Sequence, residues 1–508
     1  MKKNEIKSGA IIGYINMIAN IIVTFVYTPI MLKLMGNEEF GLYSLVSSVI
    51  SYLSVLDMGF GNAMIRFISK AQAKKEYDKE KEINGLFLIL YSAIGIITIF
   101  IGIALINNIQ KLFPALTQDE IGKAKVIMEI LILTIAISFP LSIFDSYVMA
   151  CEKFKFLKIL NLVKTISIPL TMLPLLFLGY KAIAMVIVTS IFNIMYHICT
   201  LLCCFKKLNM QIYISKGKFN VELFKNIFNY SFFVFLGLIV DTVFNNTDQV
   251  ILGSVCGTVA VSIYSVGSKI INMNTTVSTT LSGLFLPKIT KMLEEKEADY
   301  KISNLFLKVS RIQIYLMVLI SSGFIVYGKQ FLNLWVGGGY EQTYYIILLI
   351  ILPALIPLTQ NIGISIIQAK NKHQFRSVVY FIIAIINVIL TIPLAKRFEG
   401  IGAAIGTLIA TFLGQILVMN IFYWKKIKLD IPKYWKFLII FLLKVSVITV
   451  LNMIIIKNIE FNWIKLILGI IIYITMYTFI VLTTMNKEEK IYLKNIVEKV
   501  KQFFRKGE

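Results

Sequence analysis

The sequence predicts an all-α integral membrane protein of fourteen transmembrane helices, built as two parallel six-helix repeats followed by two further C-terminal helices. Three observations carry this. Of 508 residues, 57% are hydrophobic and the mean hydropathy is +0.78, which leaves too little polar surface for a water-soluble globule. Apolar segments near the roughly 20 residues that a bilayer core requires recur from end to end. The gaps between them are short, so no part outside the bilayer is large enough to fold alone.

The spans fall near 9–31, 41–65, 84–106, 126–149, 156–178, 182–204, 228–252, 258–286, 306–328, 342–367, 377–394, 401–423, 437–457 and 463–485. The third (GLFLILYSAIGIITIFIGIAL) and the fourteenth (IKLILGIIIYITMYTFIVL) are apolar throughout. The seventh (YSFFVFLGLIVDTVFNNTDQVILG) is polar enough that one side must face protein or water. Trp335, Tyr340, Tyr423, Trp424, Trp435 and Trp463 stand near span ends, as interfacial anchors do.

The net charge is +23, from 51 Lys and Arg against 28 Asp and Glu. Its distribution argues against nucleic acid. With the N-terminus inside, about 38 of the 51 basic residues fall on one side and about 10 on the other, the asymmetry of the positive-inside rule. The rich side holds Lys2, Lys3 and Lys7, the run Lys70 to Lys81, Lys206 to Lys225, Lys288 to Lys308, Lys425 to Lys436 and the tail. The basic excess therefore sets topology and meets anionic membrane lipid, and both termini are expected in the cytoplasm. Cys151, Cys199, Cys203, Cys204 and Cys256 lie in or beside spans without metal-ligand spacing, and read as packing thiols. The first span is too long for a signal-peptide core and lacks a small-residue cleavage site, so no removable leader is expected.

An internal repeat emerges when the first six spans are slid along the next six. Gly36 and Gly257 each stand seven residues before a Tyr-Ser pair, Tyr43-Ser44 and Tyr264-Ser265, at an offset of 221. The same offset carries Lys70 onto Lys291, and a one-residue gap aligns Asn84-Gly-Leu-Phe-Leu with Asn304-Leu-Phe-Leu. Pro140-Leu141-Ser142 resembles Pro357-Leu358-Thr359, and Pro169-Leu170 resembles Pro393-Leu394. Each unit has an even number of spans, so the repeats are parallel about an axis along the membrane normal, an arrangement suited to alternating access. The expected organisation is an N-terminal lobe over 1–205 (spans 1–6), a C-terminal lobe over 206–436 (spans 7–12), spans 13 and 14 over 437–485, and a cytoplasmic tail over 486–508. In that tail Leu493, Ile496, Val497, Val500, Phe503 and Phe504 share one helical face ringed by lysine and arginine, as a membrane-surface anchor would. The stretch around Phe219, Leu223 and Phe228 reads likewise. The run GIGAAIGT (Gly400 to Thr407) has small residues spaced for a tight helix pair.

A charge at mid-bilayer costs at least ~2.5–3.5 kcal/mol, so each one needs a reason. At about 1.5 Å per residue, Asp241 and Lys269 fall near the midplane, Asp57 somewhat inward in span 2, and Lys164 about 12 Å into span 5. Arg66 sits near the inner end of span 2 and Asp248 nearer the outer face. Asp241 with Lys269 is either an ion pair locking two helices or a cleft-lining pair for substrate or a coupling ion. Asn245, Asn246, Thr247 and Asp248, within two turns, favour the second. Arg66, Lys164 and Lys444 have snorkelling as the alternative to function. His197 has no acid near it in sequence and reads as structural. No phosphate-binding glycine loop, HExxH or serine elbow is present, so an enzyme is not expected, nor is a cofactor beyond a coupling Na+ or proton.

Several runs resemble the prokaryotic polysaccharide-repeat-unit (Wzx-type) flippases: LDMGFGNAMIR (Leu56 to Arg66), TDQVILG (Thr247 to Gly253), SIYSVGSKI (Ser262 to Ile270), and the segment from Gln368 to Thr407. The wider superfamily holds the lipid II flippase and the MATE drug exporters. The resemblance implies a V-shaped pair of six-helix lobes with a cationic central cavity, and a groove for a lipid tail along spans 13 and 14. It also implies an undecaprenyl-diphosphate-linked oligosaccharide as substrate, flipped from the inner to the outer leaflet of a bacterial or archaeal cytoplasmic membrane. Arg66, Lys164, Lys269, Asn245 and Asn246 are then the expected diphosphate and sugar ligands, and Asp57, Asp241 and Asp248 the ion-coupling or charge-pair residues. A monomer is expected, alongside a glycan polymerase or glycosyltransferases. The alternatives are a lipid II flippase and a MATE-type drug/cation antiporter.

Overall fold

The computed structural model describes residues 2–213, 221–282, 285–295, 297–457, 459, 462–487 and 489–491, and among them the chain is helical without a strand. The expected tail face from Leu493 to Phe504, and Phe219, lie outside the described residues. In chain order the helices are α1 Lys2–Met35, α2 Asn37–Ser54, α3 Phe60–Lys74, α4 Tyr77–Asn107, α5 Ile109–Leu112, α6 Gln118–Ala150, α7 Phe154–Phe177, α8 Ala182–Lys206 and α9 Val221–Val255. There follow α10 Thr258–Ser282, α11 Leu286–Met292, α12 Ala298–Trp335, α13 Glu341–Thr359, α14 Ile362–Ala369, α15 His373–Thr411, α16 Met419–Lys425, α17 Ile431–Ile456 and α18 Trp463–Thr484. Among the described residues, eleven helical stretches are long and apolar enough to cross a membrane. The prevalence of helix has a simple cause. Hydrocarbon offers no hydrogen bonds, so each span must satisfy its own backbone.

Where helices stop, the backbone shows why. The second expected span, 41–65, is interrupted: α2 ends in a 3₁₀ turn over Val55–Asp57, and Met58 and Gly59 follow in the left-handed region at φ 51 and 70. Glycine is needed at 59 on two counts, the positive φ and the side chain of Val234 standing where a Cβ would go. The apolar run from Gln374 to Lys425 is too long for one crossing, since 52 residues would reach ~78 Å as a straight helix. Glu399, at φ 50 and ψ −131, reverses the chain there. The arms of α15 then pack as a hairpin, with Leu394 backbone against Gly402, Thr391 against Gly406, and the Asn387 amide donating to Thr407 Oγ1 at 3.0 Å. The small residues of GIGAAIGT are what let these arms approach so closely.

The chain divides into two compact units, one of Met1–Lys269 with Ser377–Ala410, the other of Ile270–Arg376 with Thr411–Glu508. In the first, α6 packs against α3, α4 and α8, α1 against α7, and α2 against α9. Its core includes Phe60, Phe87, Tyr91 and Phe139, with Tyr91 stacked on Phe139 at 6.3 Å and edge-on to Phe60 at 6.2 Å. In the second, α12 is central, touching α13, α17 and α18. Tyr327 Oη donates to Gly469 O at 2.9 Å and Tyr477 Oη to Tyr315 O at 2.7 Å. The Arg311 guanidinium lies 2.7 Å from Glu489 and 4.1 Å from the Phe437 ring centroid, tying the segment after α18 to α12.

Packing this tight makes a prediction. Gly402→Val drives a side chain into Leu394 backbone and lowers the thermal midpoint of the detergent-solubilised protein, by ~1–3 kcal/mol of overpacking strain. Gly122→Ala, at a glycine with open space around it, leaves the midpoint unchanged or higher.

Candidate functional site

The eight residues expected as substrate ligands or coupling groups fall within the first unit. Polar residues in α9 explain why that span is so rich in them. Thr247 and Gln249 face α2: the Thr247 hydroxyl bonds the Tyr52 hydroxyl, and Ser48 Oγ donates to Gln249 Oε1 at 2.5 Å. Asp248, between them, turns the other way and is 4% exposed. A buried carboxylate in hydrocarbon must be hydrogen-bonded, and this one accepts from the Tyr264 hydroxyl of α10, from Thr407 Oγ1 at 2.8 Å and from Thr391 Oγ1 at 3.5 Å. Asn387, 2% exposed, stands behind Thr407. The two arms of the α15 hairpin, with Tyr264 of α10, thus surround one carboxylate with hydroxyl oxygens.

Asp57 closes the α2–α3 break. It accepts from Tyr91 Oη at 2.6 Å and from the Gly59 N–H, so its immediate role is to hold the left-handed turn. Lys269 of α10 donates to Thr28 Oγ1 at 3.3 Å and lies 5.1 Å from the Phe40 ring centroid. Lys164 of α7 donates to Asn193 Oδ1 at 3.1 Å and lies 5.0 Å from the Tyr196 ring centroid. Each lysine hydrogen-bonds a neutral group and rests against an aromatic face, where cation–π attraction helps to hold it. Asp241 and Asn245 are exposed on α9, and Asn246 is half-buried. The Asn245 amide donates to Asp241 O at 2.7 Å and the Asn246 amide to Thr242 O at 3.2 Å. Arg66 is exposed on α3.

Two groupings were not legible as sites in the sequence. His197, which has no acid near it in sequence, stands 3.1 Å from Asp145 of α6, Nδ1 to Oδ2. Tyr264, Asn387, Thr391 and Thr407 were not singled out as partners of Asp248. Asn387 and Thr391 are one turn apart on one helical face, the signal in the sequence that could have pointed to them. Lys444 is exposed, with its Nζ 3.3 Å from Thr484 Oγ1.

The lipid II flippase MurJ in its inward closed conformation superimposes with a TM-score of 0.68 at 17% identity, covering 96% of this chain and 99% of that one. An inward-facing MATE family multidrug resistance transporter of the MOP superfamily gives 0.60 at 12% identity, over 83% of this chain and 99% of that one. The fold is that of the multi-pass membrane transporters of this superfamily. The "Putative O-antigen transporter" of Shigella flexneri is 22% identical over 392 residues, 76% of this chain and 90% of that protein. Its namesake in Escherichia coli (strain K12) is 22% identical over 404 residues, 77% and 90% of the two chains. The model of the family described as "Polysaccharide biosynthesis protein" matches residues 6–293, more than half the chain, and the chain belongs to that family.

The oxygen ring carries its own test. Thr407→Val removes a donor from Asp248 and leaves the Asn387 amide without its acceptor, costing ~1–3 kcal/mol for each buried group left unsatisfied. A fall in thermal midpoint with Thr407→Val, and its retention with Thr407→Ser, is the expected result.

Proposed function

We propose that this protein flips an undecaprenyl-diphosphate-linked oligosaccharide repeat unit from the inner to the outer leaflet of the cytoplasmic membrane, for export of a surface polysaccharide. The observation that carries this reading is the pair of lysines within the spans, Lys164 and Lys269, each hydrogen-bonded to a neutral group. A diphosphate must cross about 30 Å of hydrocarbon. Neither lysine's hydrogen bond is to an acid, which leaves that bond open to exchange, and a phosphate oxygen is a stronger acceptor than the amide or hydroxyl it displaces. Arg66, exposed on α3, is the proposed third cation, and Asn245 and Asn246 are proposed for sugar hydroxyls. The neighbours' names support the class: a lipid II flippase and two O-antigen transporters.

The finer architecture belongs to the same proposal. Fourteen crossings follow when α9, α10 and the separate arms of α15 are counted with the other spans. The lobes over 1–205 and 206–436, with 437–485 as an added pair, alternate access between the two leaflets, with both termini in the cytoplasm and the protein acting as a monomer beside the glycosyltransferases or polymerase that make and use its cargo. Coupling is proposed at Asp248, because a carboxylate ringed by hydroxyl oxygens suits a proton or a hard monovalent cation such as Na+. Asp57, engaged in a turn, and exposed Asp241 are weaker candidates for that task.

Reconstitution into liposomes tests the reading. Undecaprenyl-diphosphate oligosaccharide placed in one leaflet becomes accessible in the other, and an imposed ion gradient drives it. Lys164→Gln and Lys269→Ala each slow this ~10-fold or more, the worth of one lost charge-assisted hydrogen bond. Asp248→Asn leaves slow flipping that no longer responds to the gradient. Normal rates in both lysine variants at wild-type abundance, or transport of cationic dyes in place of the glycolipid, would falsify the assignment.

A further inference from the structure

The second unit contains a cavity of ≈ 550 Å³ between the start of α15 and α16. Its wall is apolar. Phe375 and Phe422 stack with ring centroids 4.1 Å apart and planes 14° from parallel, and Val418 and Ile421 continue the same surface. Both aliphatic residues are exposed, at 39% and 53%, so they stand where lipid chains would reach them. Its rim is cationic: Lys372, Lys425 and Lys426 line it, and no lining residue is acidic. Lys372 is held in place, its Nζ donating to the Lys426 carbonyl at 3.3 Å. Asp299 of α12 pairs with Lys370 at 2.7 Å and Lys428 at 3.8 Å and also feels the charge of Lys372. The π-helical turn Phe412–Val418 leads directly into the wall, and such turns recur where a helix is reshaped for function.

We propose that this cavity binds one anionic phospholipid of the lysine-rich leaflet, its phosphate on the three lysines and an acyl chain along Phe375, Phe422, Val418 and Ile421. Charge complementarity selects the occupant. A zwitterionic lipid gains little from three cations, whereas a phosphate carrying net charge gains from each, and basic pockets between helices on this side of a membrane are suited to anionic headgroups. The apolar wall selects an amphiphile over a soluble anion. The site involves none of the residues proposed to carry the glycolipid, so it is separate from the proposed cargo site.

Native mass spectrometry of the full chain, released from mixed micelles of phosphatidylglycerol and phosphatidylcholine, reads this directly. The expected result is one phosphatidylglycerol retained in preference to phosphatidylcholine. Retention falls ~10-fold or more in the triple Lys372→Gln, Lys425→Gln, Lys426→Gln variant, by about one lysine–headgroup interaction per residue removed. Ile421→Trp, which fills the apolar wall and leaves the lysines in place, also lowers it. Lys206→Gln with Lys207→Gln, basic residues elsewhere on the lysine-rich side, leaves it unchanged. Equal retention of the two lipids, or a triple variant that binds as the wild type does, overturns the proposal. So does displacement by millimolar inorganic phosphate, which marks a soluble-anion site, or selective displacement by undecaprenyl diphosphate, which marks a cargo site.

Discussion

Hydrocarbon supplies no hydrogen bonds, and the rest of this structure follows from that. A backbone that crosses it must be helical, and a polar side chain within it must find its partner in the protein. The consequence is visible along α9, where consecutive residues Thr247, Asp248 and Gln249 are each satisfied, two by α2 and one by α10 and α15. One span rich in polar groups thereby fixes the placement of its neighbours. Gly253, one turn and a half further on, has Leu45 of α2 where a side chain would stand, so close approach and hydrogen bonding act along the same seam. Polarity here serves orientation: greasy faces can slide past each other, whereas a hydrogen bond in a dry seam has one register.

The same constraint explains how the chain turns. A helix in lipid can end only where its last carbonyls and first amides are satisfied, and this chain does so with left-handed residues and short turns. At 58 and 59 the break is covered by Asp57, whose carboxylate takes the Gly59 N–H and the Tyr91 hydroxyl. At Glu399 a single residue reverses the chain, and the cost of its backbone conformation is offset by the contact between the two arms of α15. That contact brings Thr391 and Thr407 to one carboxylate, so a turn far from Asp248 in sequence builds half of its surroundings.

Helical fold and approximate spans were legible in the sequence because hydropathy and length act locally. That one side of the seventh span faces protein or water was legible for the same reason. The break at 55–59 was not, although its residues, LDMGFG, were conspicuous. A positive φ at Met58 leaves little trace in composition, and the hydrophobic run passes through it. Partner choice was the least legible. His197 meets Asp145, and Asp248 meets Thr391 and Thr407, across separations that only packing determines. The small residues of Gly400 to Thr407 foretold a tight helix pair, but which helix was paired depended on the reversal at Glu399.

Cations and anions inside this protein are stabilised differently, and the difference bears on what each can do. Asp248 has hydroxyl donors on several sides and is nearly sealed, which suits the coupling to a small ion proposed for it. Lys164 and Lys269 each have one hydrogen bond to a neutral oxygen and an aromatic face. An ion pair there would hold the lysine, and breaking it for a phosphate would leave a carboxylate unpaired, at a cost that rises with burial. For the proposed phosphate cargo a neutral partner avoids that cost: it satisfies the ammonium between transport cycles and gives way to a stronger acceptor. Release is eased in turn, because the lysine returns to a partner already in place. A carrier must let go of its cargo as readily as it takes it up, and under the proposed function neutral partners for Lys164 and Lys269 serve both demands.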